Sequence, residues 1–455
     1  MDLVQAARAL FSGPSREFAV RLWDGTVLPP ARPPGPPGAV VLASPRALDA
    51  LLPPITERAL SEAFLDGDLD LDGDAVALLE AAMGWEGPPA RPGLLPAVLA
   101  VFVRRALARL GKKDIDAHLR GQTHSLGRDR KAIEHHYDVS DDFYRLFLDE
   151  EMVYSCAYFA PWARSLEEAQ RAKLDLVCRK LALSPGDRLL DVGCGWGALV
   201  GHAVERYRAS AVGVTLSRNQ LEEARRRVAS GPPGGQILAV DYRQLPPEER
   251  FDKISSVGMM EHVGRARLPE YFSTLHRLLN PGGLFLNHYI ADTSRGRSAF
   301  RFGSQRGGSF IERYIFPDGE LIPLPEVLDA AERAGFEVRD VDSLREHYAD
   351  TCAAWVERLE QRWGEAERLV GRRRARAYRL YLASSSAQFR RGGISVFQVL
   401  LAKPAEAGRV RGVPRWRGEW YERPARPATA RAPEPAAPEP AAWASEARQT
   451  GARAP

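Results

Sequence analysis

The stretch Arg188–Leu199 reads Arg-Leu-Leu-Asp-Val-Gly-Cys-Gly-Trp-Gly-Ala-Leu and limits the possible folds more than any other. Leu189, Leu190 and Val192 form an apolar run of strand length, which breaks into Gly193, Gly195 and Gly197 and then into a helical pattern. A strand, a tight glycine turn and a helix N-terminus are how an open α/β sheet holds a nucleotide-like ligand. Glycines are needed because a Cβ would keep the backbone from closing onto that ligand. The spacing is Gly-x-Gly-x-Gly, not the dinucleotide Gly-x-Gly-x-x-Gly, and Asp191 stands two residues before the first glycine. A phosphate-cradling loop offers bare N–H groups and no carboxylate. An acid at the strand end suits a cationic or amine-bearing ligand such as the methionine part of S-adenosylmethionine. A strand-to-helix turn without a ligand is the plainer alternative, and the density of glycines weighs against it.

Strands and helices alternate around this loop. Strands are expected over Arg188–Val192, Ala211–Leu216, Gln236–Val240, Phe251–Val257 and Gly283–Ile290, with helices over Trp196–Tyr207, Arg218–Ala229 and Leu268–Leu279. A further helix, Leu166–Leu183, precedes them, and Phe336–Val341 and Ile394–Lys403 supply two more strands. Such alternation predicts a doubly wound parallel sheet, and the last strand, entered through Gly392-Gly393, suits an antiparallel edge. Seven strands in this order make an α/β, Rossmann-like class I methyltransferase sheet. Asp292–Pro325 is long for a connection and is expected to cover the site. A second helical insertion, Leu344–Phe389, is notably basic.

Residues 1–110 read as a separate small α+β domain. Glu17–Val27 alternates and reaches Asp24-Gly25, a hairpin signal, and Ala39–Ala43 is a second strand. Leu48–Phe64 reads as one helix, and the acidic run Asp66–Asp74 as a turn between helices. That run lacks the glutamate a calcium loop carries at its twelfth position, since Ala77 and Leu79 stand there. Residues 111–135 form a basic linker after an amphipathic helix, Ala97–Leu110, whose arginines suit either an anionic membrane surface or solvent. The catalytic domain runs over 136–403. Residues 404–455, rich in Pro, Ala, Arg and Glu, are expected to be disordered because they bury too little apolar surface.

The net charge of +4 over 455 residues supports no nucleic-acid partner. Four cysteines without a C-x-x-C pair fit a reducing compartment. The N-terminus lacks a signal pattern and no stretch has the ~18 continuous apolar residues of a membrane span. A cytoplasmic protein with peripheral membrane contact is expected.

Ligand side chains belong at the carboxyl ends of the strands. Those ends carry Asp191 with Gly193, Cys194 and Gly195; Thr215, Leu216 and Gln220; Asp241 and Tyr242; Val257 and then Glu261; and His288. No acid closes the second strand, so Gln220 or Thr215 must meet the ribose hydroxyls, and Asp241 suits the adenine amino group. Glu261 and His288 can act as a base or hold a small anion that does. There is no Asp-Pro-Pro-Tyr motif for methylating base amines and no metal triad of the catechol type, so no metal is expected. The aromatic-rich segment His135–Phe159 reads as packed core sooner than as a lid.

Several segments together resemble the cyclopropane fatty acid synthase family, which includes the mycolic acid cyclopropane synthases. They are His136-Tyr137-Asp138, Asp142-Phe143-Tyr144, Tyr154-Ser155-Cys156-Ala157-Tyr158-Phe159, Leu190–Gly197, Gly213–Ser217, Asp241-Tyr242-Arg243, Ser256–Gly264 and Tyr314-Ile315-Phe316-Pro317. The match runs from His136 to about Lys403, and residues 16–83 look like the family's small N-terminal domain. The resemblance implies transfer of the methyl of S-adenosylmethionine to a cis double bond in a phospholipid acyl chain, at the membrane, with bicarbonate as base. It places the bicarbonate cage at the backbone of Cys156, Glu261, His288, Ile290 and Tyr348, and adds Tyr154 and Ser155 to the donor site. A homodimer is compatible with it. Aromatic faces such as Tyr158, Phe159 and Tyr289 would stabilise the carbocation. Ser384-Ser385-Ser386 stand where many relatives carry a cysteine, which argues against a thiol role there, and the insertion Phe300–Phe310 is not family-typical. Relatives that stop at a methyl or methylene branch or hydrate the cation, and a non-catalytic partner that binds donor and membrane, are the alternatives.

Overall fold

The computed structural model describes residues 3–33, 35–51, 55–85, 128, 139–294, 309–410 and 412–422. The amphipathic helix over 97–110, most of the basic linker, the His136-Tyr137-Asp138 segment, residues 300–308 of the insertion and the tail beyond 422 lie outside the described residues.

The N-terminal unit contains α1 (Leu3–Leu10), β1 (Ala19–Arg21), β2 (Val27–Leu28), β3 (Gly38–Leu42), α2 (Ala47–Leu51), α3 (Glu57–Leu65), β4 (Leu69–Gly73) and α4 (Ala75–Gly84). Its sheet has the order β2-β1-β3-β4. The single helix expected over Leu48–Phe64 is two, α2 and α3. Pro53 and Pro54 lie between them in the sequence, and proline lacks the N–H a helix interior needs. The acidic run expected as a turn is instead β4, antiparallel to β3. Its alternation puts Leu69 and Leu71 inward and leaves the aspartates outward.

The larger unit begins with α5 (Asp141–Tyr144) and α6 (Leu166–Lys180), followed by β5 (Arg188–Val192), α7 (Ala198–Tyr207), β6 (Ser210–Val214), α8 (Arg218–Ser230), β7 (Gly235–Leu238), β8 (Phe251–Val257), α9 (Leu268–Leu278) and β9 (Leu279–Asp292). Then come α10 (Phe310–Tyr314), α11 (Leu324–Arg333), β10 (Glu337–Ser343), α12 (Arg345–Gln361), α13 (Trp363–Val370), α14 (Arg372–Arg391), β11 (Ile394–Ala402) and α15 (Gly418–Tyr421). The strand order is β10-β11-β9-β8-β5-β6-β7. The five strands from β5 to β9 are parallel, while β11 runs antiparallel to both its neighbours, β9 and β10, and so lies inside the sheet and not at the edge expected for it. The order reverses between β5 and β8, and that reversal opens a crevice at their carboxyl ends.

The basic insertion and the acidic run explain each other. Arg376, 3 % exposed on α14, donates to Phe64 O at 2.7 Å, Leu69 O at 2.7 Å and Asp70 at 2.9 Å. Arg379 takes the other oxygen of Asp70 at 2.9 Å, and Arg373 pairs with Glu62 at 2.6 Å and with Asp66. Three of the arginines that made the insertion basic are thus spent on the N-terminal unit. Apolar residues of both units, including Phe64 and Leu71 with Tyr378 and Leu382, belong to one continuous core.

Residues 404–422, read from composition as part of a disordered tail, are packed over the described stretch. Trp420 is buried, Tyr421 donates to Asp342 at 2.6 Å, and both rings lie near the Lys180 ammonium. One tryptophan and one tyrosine supply the apolar area that the surrounding composition lacks.

Arg376→Ala removes a guanidinium that satisfies two backbone carbonyls and a carboxylate at once. It should cost about 2–4 kcal/mol of unfolding free energy and expose the N-terminal unit to limited proteolysis. Urea melts read the first effect and peptide mapping of the digest the second.

Candidate active site

A cleft lies at the reversal of strand order. It is lined by Tyr154 and Ser155, by Asp191, Gly193, Cys194 and Gly195 after β5, by Thr215, Leu216 and Gln220 after β6, by Asp241 and Tyr242 after β7, and by Val257 after β8. Every residue that the sequence assigned to the donor therefore faces one hollow. Gly193 and Gly195 have φ of +78° and +53°, which a side chain strains. A Cβ on Gly193 would come within 2.9 Å of Met259, whereas Gly195 faces open space.

Asp191 is 3 % exposed and accepts from Ser255 at 2.7 Å. Burial pushes its carboxyl up to about 6 against the opposing pull of the Ser255 hydroxyl and the Lys173 ammonium. Thr215 Oγ1 donates to Gln220 Oε1 at 3.0 Å, so the two candidates for the missing ribose acid act as a pair. Asp241 is held by Arg243, whose backbone N and Nε reach Oδ1 at 2.9 and 2.8 Å and whose Nη2 reaches Oδ2 at 2.7 Å. Oδ1 is thereby filled, and Oδ2 keeps one lone pair for a ligand.

A second cavity adjoins the first and shares Tyr154, Gly258 and His262 with it. Its walls include Ile290, Ile311, Phe316, Leu321, Tyr348, Cys352, Tyr381, Phe389 and Ile394, with Glu261 among them. The described part of the long connection, through Ser309, Ile311, Phe316 and Leu321, covers the site as its length implied. Tyr348 stacks on Phe389 at 4.6 Å, and Tyr381 meets Phe316 edge-on at 5.6 Å.

The carbonate-cage residues divide. Glu261, Ile290 and Tyr348 line the second cavity, while Cys156 and His288 are buried and line neither cavity. Glu261 Oε1 accepts from the Ile290 backbone N at 2.8 Å, and Oε2 is buried with no partner. The Ile290 N–H that the resemblance offered to an anion is thus already engaged. His288, two residues earlier on β9, pairs through Nδ1 with Gln398 Nε2 at 3.2 Å and has a buried, unpartnered Nε2. With the Gln398 amide donating, Nε2 carries the imidazole proton. Both atoms are thus buried without a partner, and of the two residues Glu261 alone lines the cavity. Burial raises Glu261 to about 7 and lowers His288 well below its ordinary range, with Lys173 and Lys180 adding to the latter. The Cys156 thiol is pushed up by burial and points to the carbonyls of Ala157 and Leu344.

Three expected aromatic contacts are not made. Tyr158 and Phe159 pack on His347 at 4.9 and 6.5 Å, and Tyr289 points to the opposite face of β9 from His288, against Phe397. None lines either cavity. Strand alternation decides this for Tyr289, because neighbours on a strand face opposite sides. Of the aromatic segment before the sheet, Phe143, Tyr144 and Phe147 are plain core and Tyr154 alone lines both cavities. The sequence reading missed Tyr381, Ser385 and Phe389, which repeat at helical spacing along α14, and Lys173, a charge on the apolar face of α6. Those periodicities were visible; what they faced was not.

The matching family model is that of mycolic acid cyclopropane synthetase, over residues 124–399. The chain belongs to that family. A probable fatty acid methyltransferase of Pseudomonas putida is 40 % identical over 392 residues, covering 86 % of this chain and 92 % of the relative. Cyclopropane mycolic acid synthase 1 of Mycobacterium tuberculosis is 41 % identical over 279 residues, 60 % of this chain and 96 % of its own. The crystal structure of the mycolic acid cyclopropane synthase CmaA1 complexed with SAH and CTAB superimposes with a TM-score of 0.56 at 39 % identity, covering 60 % of this chain and 97 % of that one. The cyclopropane synthetase match thus covers the sheet, both cavities and their caps, and the fold is that of class I S-adenosylmethionine-dependent methyltransferases.

Glu261 provides a check on this geometry. Its raised carboxyl favours the folded state fully below about pH 4.5, and that contribution is lost as pH rises through about 7. Glu261→Gln has no such titration. Between pH 4.5 and 8 the variant should therefore gain up to about 3 kcal/mol relative to the parent, measured by urea unfolding across the range.

Proposed function

We propose that this chain transfers the methyl group of S-adenosylmethionine to a cis double bond in a phospholipid acyl chain and closes a cyclopropane ring. One observation carries the reading: a cleft with a buried carboxylate adjoins, across the shared walls Tyr154, Gly258 and His262, an aromatic-walled cavity lined by Glu261. The first hollow suits a sulfonium donor and the second a hydrocarbon chain.

The chemistry follows from that adjacency. An isolated alkene is a poor nucleophile, so holding it aligned with the sulfonium supplies much of the acceleration. The π pair forms the new C–C bond as the C–S bond breaks, leaving S-adenosylhomocysteine and a carbocation. Loss of a proton from the added methyl lets its C–H pair close the ring. Tyr154, Tyr348, Tyr381, Phe316 and Phe389 present π faces to the cation and exclude water that would trap it. Asp191 holds the donor's cationic end, and the Thr215–Gln220 pair meets the ribose. Glu261 and His288, each with one buried atom that has no partner, would hold hydrogen carbonate, which when bound supplies a replaceable base where a side chain would risk alkylation.

The reaction is placed at the inner membrane surface, where such chains are found. Among the described residues no helix is long and apolar enough to cross a membrane. A methyl- or methylene-branched product is the second reading, favoured by the name of the Pseudomonas putida relative that spans most of this chain.

Incubation of the purified protein with S-adenosylmethionine and vesicles of unsaturated phospholipid should add one CH₂ to the lipid, with cyclopropane protons upfield of other aliphatic signals in its NMR spectrum. A retained or shifted olefin with a new methyl signal selects the branched product, and no mass gain rejects both. Glu261→Gln should lower turnover by about 100-fold or more while leaving donor affinity, measured by calorimetry, unchanged.

A further inference from the structure

Lys173 has no place in the chemistry above, yet it lines the donor cleft and is only 2 % exposed. A buried ammonium is costly unless its protons find acceptors. Its Nζ donates to Ser155 Oγ at 2.8 Å. Among the described residues that hydroxyl is its one side-chain hydrogen-bond partner, and no carboxylate forms an ion pair with it. Lys180, two turns along the same helix, shows the contrast: Asp342 and Asp340 lie 2.7 and 3.8 Å from its Nζ. An ammonium carries three protons, so Lys173 has donors to spare.

The surroundings are fixed firmly. Gln170, one turn earlier on α6, donates to the carbonyls of Val153 and Ser155 at 3.2 and 2.9 Å. Asp149 accepts from the backbone N of Val153 and of Glu151 at 2.9 and 3.0 Å. The segment carrying Tyr154 and Ser155 is thereby pinned against α6 with the ammonium beside it. Asp191 lines the same cleft and is close enough for the Lys173 charge to pull its carboxyl down against burial. The other cation of known pairing in the cleft, Arg243, is engaged with Asp241 beyond β7.

We propose that Lys173, with Ser155, takes the carboxylate of the donor's amino-acid end, so that the cleft holds a zwitterion between Lys173 and Asp191. This rests on reading the cleft as the S-adenosylmethionine site and adds a binding residue to it. The cation beneath Ser155 explains why a hydroxyl is needed there: it relays the charge and shares the ligand oxygen. Burial makes such charge-assisted hydrogen bonds strong.

Three adenosine ligands separate this role from structural support. S-adenosylhomocysteine carries both amino and carboxylate groups, decarboxylated S-adenosylmethionine lacks the carboxylate, and 5′-methylthioadenosine lacks the whole amino-acid end. Lys173→Met should weaken S-adenosylhomocysteine by about 10- to 100-fold in calorimetry and leave the other two within about twofold; Lys173→Arg should recover part of the loss. An equal loss for all three ligands, or none for S-adenosylhomocysteine, overturns the assignment. A measurement on the unaltered protein guards against a misfolded variant: decarboxylated S-adenosylmethionine should bind about tenfold or more weakly than S-adenosylmethionine, and equal affinity overturns the proposal. If the unaltered protein binds none of these ligands, the donor reading of the cleft itself fails, and the role of Lys173 falls with it.

Discussion

The hydrogen bond from the Ile290 backbone to Glu261 ties the turn after β8 to β9 in the wall of the second cavity. β8 and β9 run parallel with Val257 opposite His288, and the chain after β8 turns back in a short 3-10 helix over Met260–His262. Glu261 accepts from Ile290 N at 2.8 Å, which fixes one carboxylate oxygen on the neighbouring strand and aims the other into buried space. That bond fixes the carboxyl against β9 and forms part of the wall of the second cavity. Without it the carboxyl would turn to solvent, and the burial that raises Glu261 to about 7 would be gone.

Burial of charge is the common theme of the site. Asp191, Glu261, Lys173 and His288 all sit where water is largely excluded, and each is shifted toward its neutral form. In such surroundings a correctly placed ligand charge interacts strongly, and a misplaced one is expelled. The second cavity differs in having a largely aromatic and aliphatic wall, with Tyr154, Phe316, Tyr348, Tyr381 and Phe389 around Glu261.

The N-terminal unit contributes to the same end from outside. Glu57 accepts from the Phe310 backbone at 3.0 Å, and the Tyr314 hydroxyl meets Glu62, which also pairs with Arg373. The helix α10, whose Ile311 lines the second cavity, is therefore held between α3 and α14. The acidic strand β4 looked inert in the sequence because each aspartate by itself could be a solvated charge; Asp72 pairs within the small sheet with Arg21, and Asp70 takes its partners from the arginines of a helix some 300 residues later.

Local sequence by itself determined the doubly wound sheet, the glycine loop and the strand-end residues of the donor cleft. Strand and helix periodicity, and the φ above zero that glycine alone takes readily, act over a few residues and are written there. Tertiary structure alone decided which side chains the second cavity receives. Tyr289 and His288 are adjacent in the chain and face opposite ways, whereas Tyr154 and Tyr381, 227 residues apart, have hydroxyls 3.4 Å apart. The same holds for Lys173, whose charge on an apolar helix face acquires meaning only from Ser155 and Asp191 beside it. Contacts between distant segments depend on how elements pack, and packing is settled by the whole core rather than by any local pattern.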